Sequence, residues 1–228
     1  MAAISQQLAD ITVLSIVVRI LLSTFCAGTL GFERERHNQA AGFRTYIIVS
    51  DASALVMMTN IFVAGLGETD LVRMSASVIT GLGFLGAGTI IITARQQVKG
   101  LTTAAGLWAS ACTGLAVGAG FYECVLIAFA MIFLSIRLFP IVDAYIQENA
   151  RDINLYMEFH SLGDISTIIN QLKAQNVQIY DIDIERNKSG EALHPSAIFS
   201  IRLNEKIPHT QLLSDLAELD CLCVIEEL

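Results

Sequence analysis

Charge is scarce over most of this chain. Residues 1–140 hold only eight Lys/Arg and seven Asp/Glu, whereas residues 141–228 hold six Lys/Arg and fifteen Asp/Glu. The first stretch is net +1 and the second net −9, which gives the −8 of the whole. A surplus of basic residues is missing, which excludes nucleic acid as a partner, because its phosphates demand a cationic face. Catalytic and cofactor signatures are missing as well: no HExxH, no Walker lysine loop, no Ser-His-Asp set and no Cys/His ligand spacing, so neither an enzyme nor a cofactor is indicated. Of the five cysteines, Cys26, Cys112 and Cys124 fall in apolar runs, and Cys221 and Cys223 alternate on one strand without a CxxC. A disulfide framework and a zinc site are both unsupported. What is present is oil: 54% of the residues are hydrophobic, which excludes a disordered chain.

The apolar residues cluster in runs long enough to cross a bilayer, which takes roughly 20 residues at about 1.5 Å each. Residues 11–32 are interrupted only by Arg19, and 45–67 only by Asp51; 74–94 and 100–122 carry no charge before Arg95 and Glu123. Residues 121–139 make a fifth, with Glu123 and Arg137 near its ends and Pro140 expected to stop the helix. The first stretch lacks a basic n-region and is followed by charge, so it reads as a span and not a cleaved leader. The division is therefore a five-helix membrane domain (1–140), a linker (141–151) and a soluble domain (152–228). Arg34, Arg36, Arg44, Arg95, Lys99, Arg137 and Arg151 fall on one side and Arg73 alone on the other. The asymmetry predicts a multi-pass membrane protein with its N-terminus outside and its C-terminal domain cytoplasmic.

Small residues recur four apart, as in Ser23–Ala27–Gly31 and Gly106–Ser110–Gly114–Gly118. Such faces let helix backbones approach closely in lipid. The third run packs Gly81, Gly83, Gly86 and Gly88 too densely for a single seam. Two readings stand: ordinary packing, or a locally irregular helix whose freed carbonyls line a cavity.

Polar groups at depth are costly, so each needs a reason. Arg19 and Asp51 are offset by about 10 Å along their helices, which disfavours a direct pair. Arg19 instead snorkels outward or meets carbonyls and hydroxyls of the Gly-rich helices. After the first run, Glu33-Arg34-Glu35-Arg36 reads either as a solvated anchor or as a paired cluster, with Glu33 and Arg36 on one helical face. A carboxylate cluster of this kind is also a weak candidate for a hard cation such as Mg²⁺, with no metal assignable. For Glu33 itself we expect a buried cluster with Arg34, Arg36 or Arg44, and treat Glu35 as the neutral neighbour.

The order Arg19 … Gly28 … Gly31-x-Glu33-Arg34, Gly42-x-Arg44-Thr45, Gly81-x-Gly83-Phe84-x-Gly86-Ala87-Gly88 and Val98-x-Gly100-Leu101-Thr102-Thr103-Ala104-Ala105 … Trp108 resembles the MgtC/SapB family of bacterial membrane proteins. The resemblance covers about residues 15–125. It implies five spans, a plasma-membrane location, a cytoplasmic C-terminal extension, and a role in adaptation to low magnesium and, in pathogens, survival inside host cells. It also implies action on another membrane complex, the rotary ATP synthase; a Mg²⁺ transporter or channel is the competing reading. The motif positions carried over are Arg19, Gly31, Glu33, Arg34, Arg44, Thr45, Gly83, Gly86, Gly88, Gly100, Leu101, Thr102, Thr103 and Trp108. Asp51 departs from the family pattern, standing where members usually carry an apolar residue, and Gly106 stands where some carry an acidic or polar one.

Residues 152–228 read as strand (153–159), helix (164–174), strand (177–186), strand (197–203), helix (210–218) and strand (221–226). Lys188-Ser189-Gly190 opens a long hairpin loop. This β-α-β-β-α-β order is the ferredoxin-like arrangement and resembles an ACT-type regulatory domain. The expected partners are the lipid bilayer, another membrane protein complex, and a second copy of the chain through either domain.

Overall fold

The computed structural model describes residues 11–67, 72–93, 97–148, 150–174, 177–185, 195–203, 209–217, 219 and 221–227. Arg95 and the Lys188-Ser189-Gly190 loop lie outside the described residues. The chain divides into two compact units, Met1–Phe139 and Pro140–Leu228.

In the first unit α1 is Val13–Arg36, α2 Phe43–Gly65, α3 Arg73–Ala87 and α4 Leu101–Ala119; α5, Tyr122–Glu148, begins there. A short antiparallel pair, β1 (Ile91–Ile92) and β2 (Val98–Lys99), separates α3 from α4. Thr12 opens α1 with a capping box: its Oγ1 accepts from Ser15 N (3.2 Å), and Ser15 Oγ accepts from Thr12 N (2.9 Å). Gly120, at φ 81°, closes α4 in the left-handed conformation. Its N–H reaches Val117 O and that of Phe121 reaches Ala116 O, so two of the last orphan carbonyls are satisfied before α5 starts.

The small-residue faces form the contacts. A Cβ on Gly31 would lie 2.8 Å from the Phe43 backbone, and one on Gly118 would lie 2.8 Å from Met57 Cβ. Likewise Gly106 leaves room for the Tyr46 hydroxyl and Gly114 for the Ser50 carbonyl. Gly106, Gly114 and Gly118 thus meet Tyr46, Ser50 and Ala54 in rising order, so α2 and α4 run parallel. The segment between them returns the chain along the bundle: α3 begins with Ser75 Oγ donating to Met57 Sδ (3.1 Å) and ends with Gly86 facing Ala104.

Two expectations are corrected. The third run is helical for only 15 residues, and its helix ends at Ala87 instead of continuing to Ala94. At about 1.5 Å per residue it is about 22 Å long, short of a hydrocarbon core. Gly88, Thr89 and Ile90 turn back with their N–H groups on Phe84, Gly86 and Ala87 carbonyls, and Thr89 Oγ1 also donates to Gly86 O (2.8 Å). Gly100, at φ 98°, lets the returning strand close on Thr89, where a Cβ would collide with the carbonyl. Among the described residues, four helices are long and apolar enough to cross a membrane: Val13–Arg36, Phe43–Gly65, Leu101–Ala119 and Tyr122–Asp143. The second correction is Pro140, which does not stop α5; the helix runs on to Glu148, through what was read as linker. Proline removes one N–H from the ladder, and the helix-forming run on both sides carries it past that defect.

In the second unit β3 (Asp152–Phe159), α6 (Asp164–Ala174), β4 (Gln178–Glu185), β5 (Ser196–Arg202), α7 (His209–Ala217) and β6 (Leu222–Glu227) follow in order. The sheet order is β4-β5-β3-β6, with every pairing antiparallel. Its core is built of large side chains, among them Leu155, Met157, Phe159, Phe199, Ile201, Leu212 and Leu216. A register shift between Ile179 and Asp181 turns Ile179 and Ile182 both toward that core, and explains why the alternation in β4 is only partial.

Candidate functional site

Polar side chains concentrate at the two ends of the small-residue bundle. At the end where α1 finishes and α2 and α4 begin, Glu33 is 7% exposed. Its Oε2 accepts from Arg137 of α5 at 2.8 Å, and Oε1 lies 3.4 Å from His37 Nε2. Beside it Arg34, 9% exposed, donates from Nη2 to Gln39 Oε1 and to Thr103 Oγ1, each at 3.1 Å. Its buried Nε has no partner among the described residues. Glu35 Oε2 accepts the Phe43 N–H at 2.8 Å, which satisfies an orphan donor of α2, whose N-cap Gly42 has no side chain for the task.

Nearer the other end, Arg19 is fully buried. Its Nη1 donates to Gly118 O at 2.7 Å and its Nε to Tyr122 Oη at 3.3 Å. Gly118 is in the last turn of α4, where orphan carbonyls carry the negative end of the helix dipole. The guanidinium therefore sits where a buried cation is favoured. Between the two ends, Ser23 and Ser50 share a hydrogen bond of 2.9 Å, Ser110 Oγ donates to Tyr46 O (3.1 Å), and Thr24 Oγ1 donates to Asp51 Oδ2 (2.9 Å). Asp51 Oδ1 is buried without a partner among the described residues.

Residues 20–145 match the model of the MgtC family. An uncharacterized protein of Haemophilus influenzae is 34% identical over 202 residues, covering 82% of this chain and 83% of its own. The chain belongs to the MgtC family. Other similar proteins are the "Putative magnesium transporter YhiD" of Escherichia coli K12, 28% identical over 78% of this chain and 83% of its own, and Protein MgtC of Brucella abortus, 41% identical over 41% of this chain and 38% of its own. No solved structure matches it significantly. Family membership and four long apolar helices together make this a membrane-embedded protein.

The residues carried over from the MgtC/SapB motifs do not form one cluster in the structure. Gly31, Glu33, Arg34 and Thr103 gather at the α1–α2–α4 end, and Arg19 belongs to the opposite one. Arg44, Thr45, Thr102 and Trp108 are exposed, and Gly83 has open space where its Cβ would be. Gly86 packs on Ala104, Gly88 starts the turn after α3, and Gly100 with Leu101 starts α4. The expectation that Glu33 lies in a buried cluster matches its environment, but its partner is Arg137, and not Arg34, Arg36 or Arg44. Arg36 makes no ion pair among the described residues. No sequence signal ties Glu33 to a residue 104 positions away. Glu35 is no neutral neighbour, since it caps α2. Glu33 and Glu35 are committed to different partners, and among the described residues no group of three His, Cys, Asp or Glu converges on a metal position. Arg19 meets a carbonyl and a hydroxyl, one of its two expected fates, while Asp51 pairs with Thr24.

Proposed function

We propose that this MgtC-family protein is a plasma-membrane regulator in adaptation to low magnesium, and in a pathogen would aid survival inside host cells. It acts by contacting another membrane complex such as the rotary ATP synthase. The observation that carries this reading is the closed seam between α2 and α4. At Gly106, Gly114 and Gly118 not even a methyl group fits, so the seam offers no path to an ion. The groove between α2 and α3 is lined by Ile48, Val49, Ala52, Val56 and Leu82 among others, an environment hostile to a divalent cation. Transport is the second reading, favoured by the name of the Escherichia coli relative.

Five crossings follow if α3 and the β1–β2 hairpin together make the return pass that parallel α2 and α4 require. The excess of Lys/Arg at one side then favours an outer N-terminus and a cytoplasmic second unit. The β-α-β-β-α-β order of that unit supports an ACT-like module that pairs two copies. Its net charge of −9 over 141–228 would hold it away from anionic headgroups.

Reconstitution into liposomes with a Mg²⁺-sensitive dye tests the choice. We expect no flux above empty vesicles, and flux that requires the protein would overturn the regulatory reading. In parallel, Glu33→Gln should abolish growth in low magnesium of a strain depending on this protein, at matched expression. Arg36→Gln, on an exposed side chain with no ion pair among the described residues, should grow as wild type.

A further inference from the structure

The α1–α2 loop and the N-terminal turn of α2 enclose a surface cavity of about 450 Å³, lined by Glu35, Asn38, Gln39, Gly42, Arg44 and Thr45. It is polar, and it contains one carboxylate and one guanidinium. Glu35 is held at the wall by its bond to Phe43 N–H, while Arg44 is exposed and makes no ion pair among the described residues. Three and four residues on from Thr45, on the same side of α2, a second cavity opens. This one is an apolar groove of about 310 Å³, with Ile48, Ala52 and Val56 on one wall and Val78, Gly81 and Leu85 on the other. Positions i, i+3, i+4 and i+7 share a helix face, so the polar cavity sits about one turn above the apolar groove. The groove runs along α2 from Ile48 to Val56, about 12 Å at 1.5 Å per residue.

We propose that the two cavities are the headgroup and acyl halves of one phospholipid site, selective for a zwitterionic phosphoethanolamine headgroup. The charges choose the headgroup. A phosphodiester would meet Arg44, with the Asn38 amide and the Thr45 hydroxyl as further donors. The primary ammonium beyond it would donate to the Glu35 carboxylate, and charge-assisted bonds of both signs are the strong ones. A phosphoglycerol headgroup brings the same anion without the cation, so Glu35 repels what Arg44 attracts. A phosphocholine headgroup has the charge but no N–H to give. The groove selects for an attached chain, because its lining is apolar apart from Ser53, whose hydroxyl is already spent on Val49 O (2.7 Å). Gly81 contributes through its missing side chain: nothing stands within 4 Å of where its Cβ would be, which keeps that wall open.

The test uses the full-length protein in detergent, titrated separately with dioleoyl phosphatidylethanolamine, phosphatidylglycerol and phosphatidylcholine, with bound lipid counted by native mass spectrometry. Phosphatidylethanolamine should bind about tenfold tighter than either of the others. Arg44→Gln should lose about that factor, and Arg44→Lys, which restores the charge, should recover part of it. Gly81→Leu fills the groove without touching the headgroup cavity, and should weaken the same lipid by a comparable factor. Unchanged melting temperatures of the variants would attribute the losses to the site. Equal affinity for all three lipids, or full binding by Arg44→Gln, would overturn the headgroup assignment. Water-soluble glycerophosphoethanolamine competing as well as the lipid, or Gly81→Leu binding as wild type, would overturn the acyl half and leave a site for a free phosphoester.

Discussion

The two units of this protein are held together by opposite kinds of residue. In the first, helices meet at Gly31, Gly106, Gly114 and Gly118, where the side chain is absent and a Cβ would collide with the neighbouring helix. In the second, the core is built of Leu155, Met157, Phe159, Phe199, Ile201 and Leu216, large apolar side chains. The difference follows from the solvent. Lipid tails are as apolar as leucine, so bringing leucines together in a bilayer gains little, and association depends on close backbone approach and on hydrogen bonds between helices. In water, each large apolar side chain removed from solvent contributes about 1.5–3 kcal/mol, and size is what stabilises. The units should therefore fail in opposite directions, the first when a residue grows and the second when one shrinks.

The largest effect is expected from Gly114→Leu, which drives a side chain into the Ser50 carbonyl where neither backbone can yield. Loss of more than about 3 kcal/mol is expected, enough to prevent a folded first unit. Leu115→Ile, one residue away and volume-conserving, should cost under about 1.5 kcal/mol. Thermal melts of both in detergent check this, and matching melts would remove the α2–α4 seam as the basis of the comparison.

Phe199→Ala comes next, with a cost of about 3–5 kcal/mol to the second unit. Hydrogen exchange on the full-length protein should show amide protection falling in β3, β4 and β5 while α1, α2 and α4 keep theirs. Protection lost evenly through both units would mean that they do not fold as separate cores.

Arg19→Met asks whether a charge can be essential to the oily unit. It leaves Gly118 O without its donor in a dry interior, at a cost of about 1–3 kcal/mol. Arg19→Lys, which keeps a cation but has no planar fork, should recover part of that loss. A methionine variant as stable as wild type would show the bond to be dispensable.

The smallest effect concerns Glu33 and Arg137. Arg137 is about half exposed, with its side chain at 49%, so solvent screens the pair despite the burial of Glu33. A double-mutant cycle with Glu33→Gln and Arg137→Gln should give a coupling of about 1 kcal/mol. A coupling indistinguishable from zero would leave Glu33 with a purely functional role, and the low-magnesium growth test would then be the only one that bears on it.

Sequence alone determined a good deal here. The apolar runs, the four-residue spacing of small residues and the order of elements in the second unit are local patterns. Each follows from a period of 3.6 or 2, and the helices and strands observed lie largely where those periods place them. Local chemistry also narrowed Arg19 to two fates, snorkelling outward or meeting carbonyls and hydroxyls. Tertiary structure decided what depends on pairs far apart in the chain. It joined Glu33 to Arg137, aimed Arg19 at the carbonyl of Gly118, and recruited Glu35 to cap a helix that Gly42 could not cap for itself. It also ended α3 at Ala87, because Gly100 lets a distant strand close on Thr89, and it carried α5 past Pro140. The physical reason is the same in each case. A periodic pattern shows which face of a helix will be buried, but a charge or an unfilled backbone group takes whatever partner the packing of that face brings within 3 Å.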